Sequence, residues 1–181
     1  MCLKKAMAMA IGDEPRICYK VVQFRIGFQG DRLISPWMGE EYKVGETKHA
    51  YGHRDVTYEE LDTPCEDLDD YGIPVTVIGE YEVGSGFLHC CDTAFDAMKY
   101  MDYPNKSTWN YAVLECEIPP GTRVFYGTWD YSTIKSIATP ALTVKKVMNF
   151  EDFMHAVGEE GIPIQEDMFE NVKKRYSVYV P

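Results

Sequence analysis

Residues Tyr111–Ile118 read YAVLECEI and alternate apolar with polar side chains. A period of two sends successive side chains to opposite faces, so the segment reads as a strand of an antiparallel sheet. Pro119-Pro120-Gly121 then turns the chain into a further strand at Arg123–Tyr126, and Leu142–Val147 supplies another. Upstream, Ile17–Ile26 (ICYKVVQFRI) is rich in β-branched and aromatic residues and reads as a central strand. Tyr42–Gly45 is a short strand ending in a turn, and Pro74–Val83 (PVTVIGEYEV) resumes as strand with Gly79 at a bulge position.

Helical signals are few and mostly late. Asp92 or Thr93 caps a helix whose stripe is Ala94, Phe95, Met98 and Met101, with Asp96 three residues after Thr93 and an end before Pro104. Asn149 caps a second, with Phe150, Phe153, Met154 and Val157 as its stripe and Gly158 as its stop. A third covers residues 165–175 and runs from Glu166-Asp167 to Lys173-Lys174-Arg175, which complements the helix dipole. Strands and helices do not alternate, which excludes a doubly wound sheet. The expected fold is α+β: bent antiparallel sheets around one or two helices, with a helical C-terminal extension. The expected organisation is an N-terminal segment 1–16, a core 17–148 with an acidic insertion at 48–72, and the extension 149–181. A capping-box pattern, Thr57 with Glu60, predicts a short helix over Tyr58–Leu61 inside that insertion.

Composition narrows the function. Hydrophobic residues make up 45 % of the 181 positions, enough for a core. Lysine and arginine total 18 against 29 aspartates and glutamates, a net charge of −11, which argues against nucleic acid or anionic lipid as a direct partner. No apolar run approaches the ~18 residues of a membrane helix. The opening MCLKKAMAMAIG is too short for a signal peptide before Asp13, Glu14, Pro15 and Arg16 intervene, so a cytoplasmic protein is expected. Its six cysteines (Cys2, Cys18, Cys65, Cys90, Cys91, Cys116) then read as free thiols. Adjacent Cys90 and Cys91 beside His89 lack zinc-ligand spacing, and no metal site is expected.

Several constellations could carry chemistry. Gly84–His89 (GSGFLH) is a glycine-rich connection whose backbone a flat ligand can approach, with Ser85 and His89 for polar contacts. Glu115 and Glu117 lie one β repeat apart on the same strand face, a pattern shared by acid–base pairs and by the solvent face of a sheet. Tyr126, Trp129 and Tyr131 form an aromatic cluster that could stack a base or fill a half-buried sheet face. Residues Glu59–Asp70 hold seven acids and no base, which places them on the surface, as a solvated insertion or as an acidic face for a basic partner. Tyr176–Val180 is apolar enough to pair with a second copy, so a homodimer is conceivable from sequence.

The order Tyr19-Lys20, Tyr42-Lys43-Val44-Gly45, Ser85-Gly86-Phe87, His89 and the helix to Tyr100, then Val113–Gly121 and Leu142–Val147, resembles a group of small phage and bacterial proteins over Cys18–Val147, with Leu88 standing between Phe87 and His89. A more distant resemblance is to ADP-ribosyltransferases, which hold NAD in a cleft between two small antiparallel sheets. That likeness implies a split sheet, Lys20 at the position of the first-strand basic residue, Gly86-Phe87 as the second motif, and NAD or another nucleotide as cofactor. Glu115 and Glu117 are the acids to consider for catalysis. Ala138-Thr139-Pro140-Ala141 holds no acid where such enzymes carry theirs. The resemblances together imply a small phage-type protein that binds a nucleotide-like ligand through Tyr19, Lys20, Ser85, Gly86, Phe87 and His89 without transferase chemistry. Two other readings are NAD-dependent ADP-ribosyl transfer or NAD hydrolysis, and an acidic interaction protein that inhibits a nucleic-acid-binding host factor.

Overall fold

The structure is a computed structural model that describes residues 5–25, 31–36, 39–50, 65–68, 74–83, 87–103, 110–129 and 133–176. Its frame is set by the strand that the alternation at Tyr111 predicts. The strands are β1 (Lys5–Ile11), β2 (Arg16–Arg25), β3 (Arg32–Ile34), β4 (Glu41–Tyr42), β5 (Thr47–His49) and β6 (Cys65–Leu68) in the first part of the chain. They continue as β7 (Pro74–Glu82), β8 (Leu88–Cys91), β9 (Tyr111–Ile118), β10 (Arg123–Thr128), β11 (Lys135–Thr139) and β12 (Ala141–Met148). All belong to one sheet, ordered β5-β12-β9-β2-β8-β11-β10-β1-β7-β6, with β3 and β4 attached beside β2. The strand pairings are antiparallel; Tyr111 and Tyr176 add one parallel bridge.

This corrects the expected fold class. The described strands form a single open sheet, mostly antiparallel, not two bent sheets split around a cleft. The physical reason lies in β9 and β2. Both edges of β9 are taken, by β2 across Cys18↔Cys116 and by β12 across Val144↔Cys116, and β2 leads on to β8 through Tyr19↔Cys91. Three helices, α1 (Ala94–Asp102), α2 (Phe150–Glu159) and α3 (Glu166–Arg175), stand where the caps and stripes place them, the last two in the C-terminal extension.

The helices share one face of the sheet. Val21, Tyr111, Val113 and Met148 from the strands meet Met98, Met101, Phe153, Val157 and Val172 from the helices in one cluster. Phe153 stacks on Tyr176 with ring centroids 5.6 Å apart. Arg175 Nη1 donates to the Met101 carbonyl and Asn171 Nδ2 to Asp102 Oδ1, which ties α3 to the end of α1. On the opposite face Cys18, Val22, Leu114, Cys116, Leu142 and Val144 form a second cluster under Leu33 and Tyr42.

Local signals explain the element ends. Thr93 caps α1: its Oγ1 accepts from the Asp96 N–H at 3.0 Å, and Asp96 Oδ1 accepts from the Lys135 N–H at 3.1 Å. Asn149 caps α2 through the Asp152 N–H. The expected stop at Gly158 is displaced. Gly158 stays helical, and Gly161, at φ 67°, takes the left-handed turn and donates to the Gly158 carbonyl. Loss of the first cap in Thr93→Ala should lower stability by about 1 kcal/mol, read as a shifted denaturation midpoint at unchanged slope.

Candidate functional site

The start of β2 is the wall between two clefts. On the helix side, Arg16, Ile17 and Tyr19 of β2 face Asp92 and Thr93 ahead of α1, and Ala156, Glu159 and Glu160 at the end of α2, around a space of about 510 Å³. On the other side, Arg16 and Ile17 also line a second cleft of about 570 Å³, with Ile118, Pro119, Val124 and Tyr126. Ile17 is 43 % exposed on this shared wall.

Arg16 and Glu160 are held by partners within the protein. Arg16 Nη2 pairs with Asp92 Oδ1 at 2.7 Å, Nη1 donates to the Tyr126 hydroxyl at 2.6 Å, and the guanidinium lies 4.9 Å from the Tyr126 ring centre. Its charge is therefore matched within the protein. Glu160 reaches across from the end of α2 to the first turn of α1, where Oε1 accepts from the Ala94 N–H at 2.7 Å and the Phe95 N–H at 3.2 Å. A carboxylate at a helix N-terminus satisfies orphan donors and meets the positive end of the dipole. Burial nevertheless pushes the Glu160 carboxyl above its usual range, with Asp96 adding to the rise against the pull of the Phe95 and Ala94 N–H groups and the Thr93 hydroxyl. Burial also raises the Tyr19 hydroxyl to about 12, helped by Glu115, Glu160 and Glu159, so it is a neutral phenol at physiological pH.

The rims are acidic. Across the two clefts stand five carboxylates, Asp13, Glu14, Asp92, Glu159 and Glu160, against the single guanidinium of Arg16. His155 Nε2 lies 3.3 Å from Glu159 Oε1, an exposed pair that is charged only when the imidazole is protonated.

The residues singled out in the sequence scatter across this frame. Tyr19 opens onto the helix-side cleft. Lys20 points to the opposite face and is 5 % exposed; its Nζ donates to the His89 carbonyl at 2.5 Å and lies 5.3 Å from the Tyr42 ring centre. Burial pulls the Lys20 pKa down while Tyr42, Cys90 and Cys116 push it up, and the balance is upward. Phe87 is buried edge-on to Phe125 at 5.2 Å. His89 is buried in β8 opposite Ala138, and only its carbonyl meets Lys20. Ser85 and Gly86 lie outside the described residues.

Glu115 and Glu117 share a face of β9 as their spacing implies, and each meets a lysine of β12: Lys146 at 3.3 Å and Lys145 at 3.1 Å. The structure thus gathers Tyr19 with Arg16, Asp92 and Glu160, and sets Lys20, Phe87 and His89 into packed interior. Trp129 packs edge-on to Tyr100 and Tyr103, while Tyr126 belongs to the Arg16 network; Tyr131 lies outside the described residues. Cys18, Cys90, Cys91 and Cys116 are free and buried; contact with Cys90 and burial push the Cys18 thiol well up, and burial does the same to Cys91 and Cys116. Buried thiols of that kind are unreactive. Among the described residues, no group of three His, Cys, Asp or Glu could hold a metal ion, and no helix is long and apolar enough to cross a membrane.

Sequence reasoning missed Glu160 and Arg16. Glu160 and its partner Ala94 stand 66 positions apart, and no spacing rule links them. Asp92 was read as an alternative cap, yet its carboxylate serves Arg16. Comparison with family models, with curated proteins and with solved structures finds no match.

The raised pKa of Glu160 has a measurable sign. A carboxyl whose folded pKa lies above its unfolded value binds protons on folding, so its contribution is fully present below the unfolded range and is lost as pH rises through the folded pKa. Wild-type stability should carry that downward slope from about pH 4 upward. Glu160→Gln should remove it, as read from urea midpoints across the range.

Proposed function

We propose that this protein is an acidic, non-catalytic binding protein that receives the ammonium or guanidinium group of a basic partner in the cleft between β2, α1 and α2. The observation that carries the reading is the Glu160 carboxylate, half-buried on the cleft wall beside the Tyr19 phenol. Glu159 and Asp92 line the same space, and the one cation on it, Arg16, is already paired at 2.7 Å. A cation entering there gains charge-assisted hydrogen bonds and an aromatic wall. A nucleotide phosphate would meet repulsion from the same rim, and Lys20, the basic residue expected to hold it, faces the other side of the sheet. The net charge of −11 steers basic partners from a distance and repels nucleic acid.

Free buried thiols support a reducing, cytoplasmic setting. The partner class is then a basic protein segment, such as one that would otherwise hold nucleic-acid phosphate. Calorimetric titration with Nα-acetyl-arginine amide, AMP and NAD tests this. Arginine amide should bind saturably, with an affinity that falls as salt rises from ~0.05 to ~0.5 M as the Debye length shrinks. Binding of AMP or NAD with no response to arginine amide would replace this reading by nucleotide binding.

A further inference from the structure

We infer that the second cleft is an apolar subsite for the same ligand, so that the protein recognises a basic residue together with a nearby aliphatic side chain in an extended peptide. The inference rests on the proposed function and extends it. The second cleft opens on the other side of the same wall, Arg16 and Ile17, and its floor is Ile118, Pro119 and Val124. That floor is apolar and almost wholly buried at Ile118 and Val124. Asp13 and Glu14 stand exposed at its rim. The Arg16 guanidinium cannot attract an anion to the junction, because Asp92 neutralises it and Tyr126 holds it in place. Ile17 leaves 43 % of its surface exposed on the ridge between the two spaces, where a ligand crossing from one to the other would cover it. An aliphatic floor with an acid rim, joined to an acidic cleft, selects a chain that carries both an apolar group and positive charge.

The test compares acetyl-Leu-Gly-Arg-amide and its reverse, acetyl-Arg-Gly-Leu-amide, with acetyl-Gly-Gly-Arg-amide by calorimetry. One leucine order should bind about tenfold tighter than the glycine peptide, as burial of an aliphatic side chain gives. Thr122→Trp, which fills the second cleft from its partly exposed edge, should erase that gain and leave the glycine peptide unchanged. Nuclear Overhauser contacts from the leucine methyls to Ile118, Val124 and Tyr126 protons give the same answer without a substitution. Equal affinities of all three peptides, with the glycine peptide bound, would overturn this inference and leave the proposed function standing. No binding by any peptide would overturn both.

Discussion

Replacing Phe153 with alanine is expected to cost about 3–5 kcal/mol of folding stability. The side chain is fully buried, stacks on Tyr176 at 5.6 Å, and shares its cluster with Met101, Tyr111 and Val172. Few residues hold α2 to the sheet; Phe153 and Val157 are its buried ones. Removing the ring therefore leaves a cavity where α2, α3 and β9 meet and weakens the docking of α2, which supplies Ala156, Glu159 and Glu160 to the cleft. The loss should be read from denaturant midpoints, and arginine-amide binding should weaken with it. A cost below about 1 kcal/mol would mean that the helices do not pack on the sheet through this ring.

Glu160→Gln is expected to weaken the binding of arginine amide about 10- to 100-fold, the value of one charge-assisted hydrogen bond at a partly buried site. Glutamine keeps the shape and can still accept from the Ala94 and Phe95 N–H groups through its carbonyl, so the fold should persist. What it removes is the charge. The same logic fixes the pH dependence of binding: wild-type affinity should fall as pH drops through the raised carboxyl range, because the protonated acid is the neutral form that glutamine imitates. Equal affinity in wild type and Glu160→Gln would reduce the carboxylate to a helix cap.

Much of the scaffold was legible in the sequence, because short-range periodicity and capping decide it. The strand at Tyr111–Ile118 has the bounds its alternation implies, and Thr93 and Asn149 cap the helices that follow them. The global arrangement was not legible. Whether β9, β2 and β8 belong to one sheet or two depends on the edge pairings Cys18↔Cys116 and Tyr19↔Cys91, which no local pattern encodes. The strands β1, β8 and β11 escaped the reading for related reasons. Lys5–Ile11 imitates the start of a signal peptide, Leu88–Cys91 follows a glycine run, and Lys135–Thr139 is made of small and polar residues. The helix predicted at Tyr58–Leu61 lies outside the described residues, as does most of the acidic run, apart from the backbone of β6 at Cys65–Leu68. The segment expected to pair with a second copy is described only at Tyr176, which bridges to Tyr111 of the same chain.

Site residues divide the same way. Tyr19 and Lys20 entered together through the resemblances, as neighbours on a predicted strand. The pleat separates them: alternation turns Tyr19 to the helix face and Lys20 to the other, where Tyr42 receives it. The likeness to a transferase motif gave weight to Gly86-Phe87, and the spacing of one β repeat gave weight to the carboxylates of β9. Phe87 is spent on packing against Phe125, and Glu115 and Glu117 on lysines of β12.

Amide chemical-shift mapping with 15N-labelled protein, titrated with Nα-acetyl-arginine amide, tests the central claim most directly. The account predicts saturable shifts concentrated at Arg16–Tyr19, Asp92–Phe95 and Ala156–Glu160, reversed by added salt and absent with AMP. Shifts centred instead on Lys20, Phe87 and His89, raised by AMP and not by arginine amide, would contradict it.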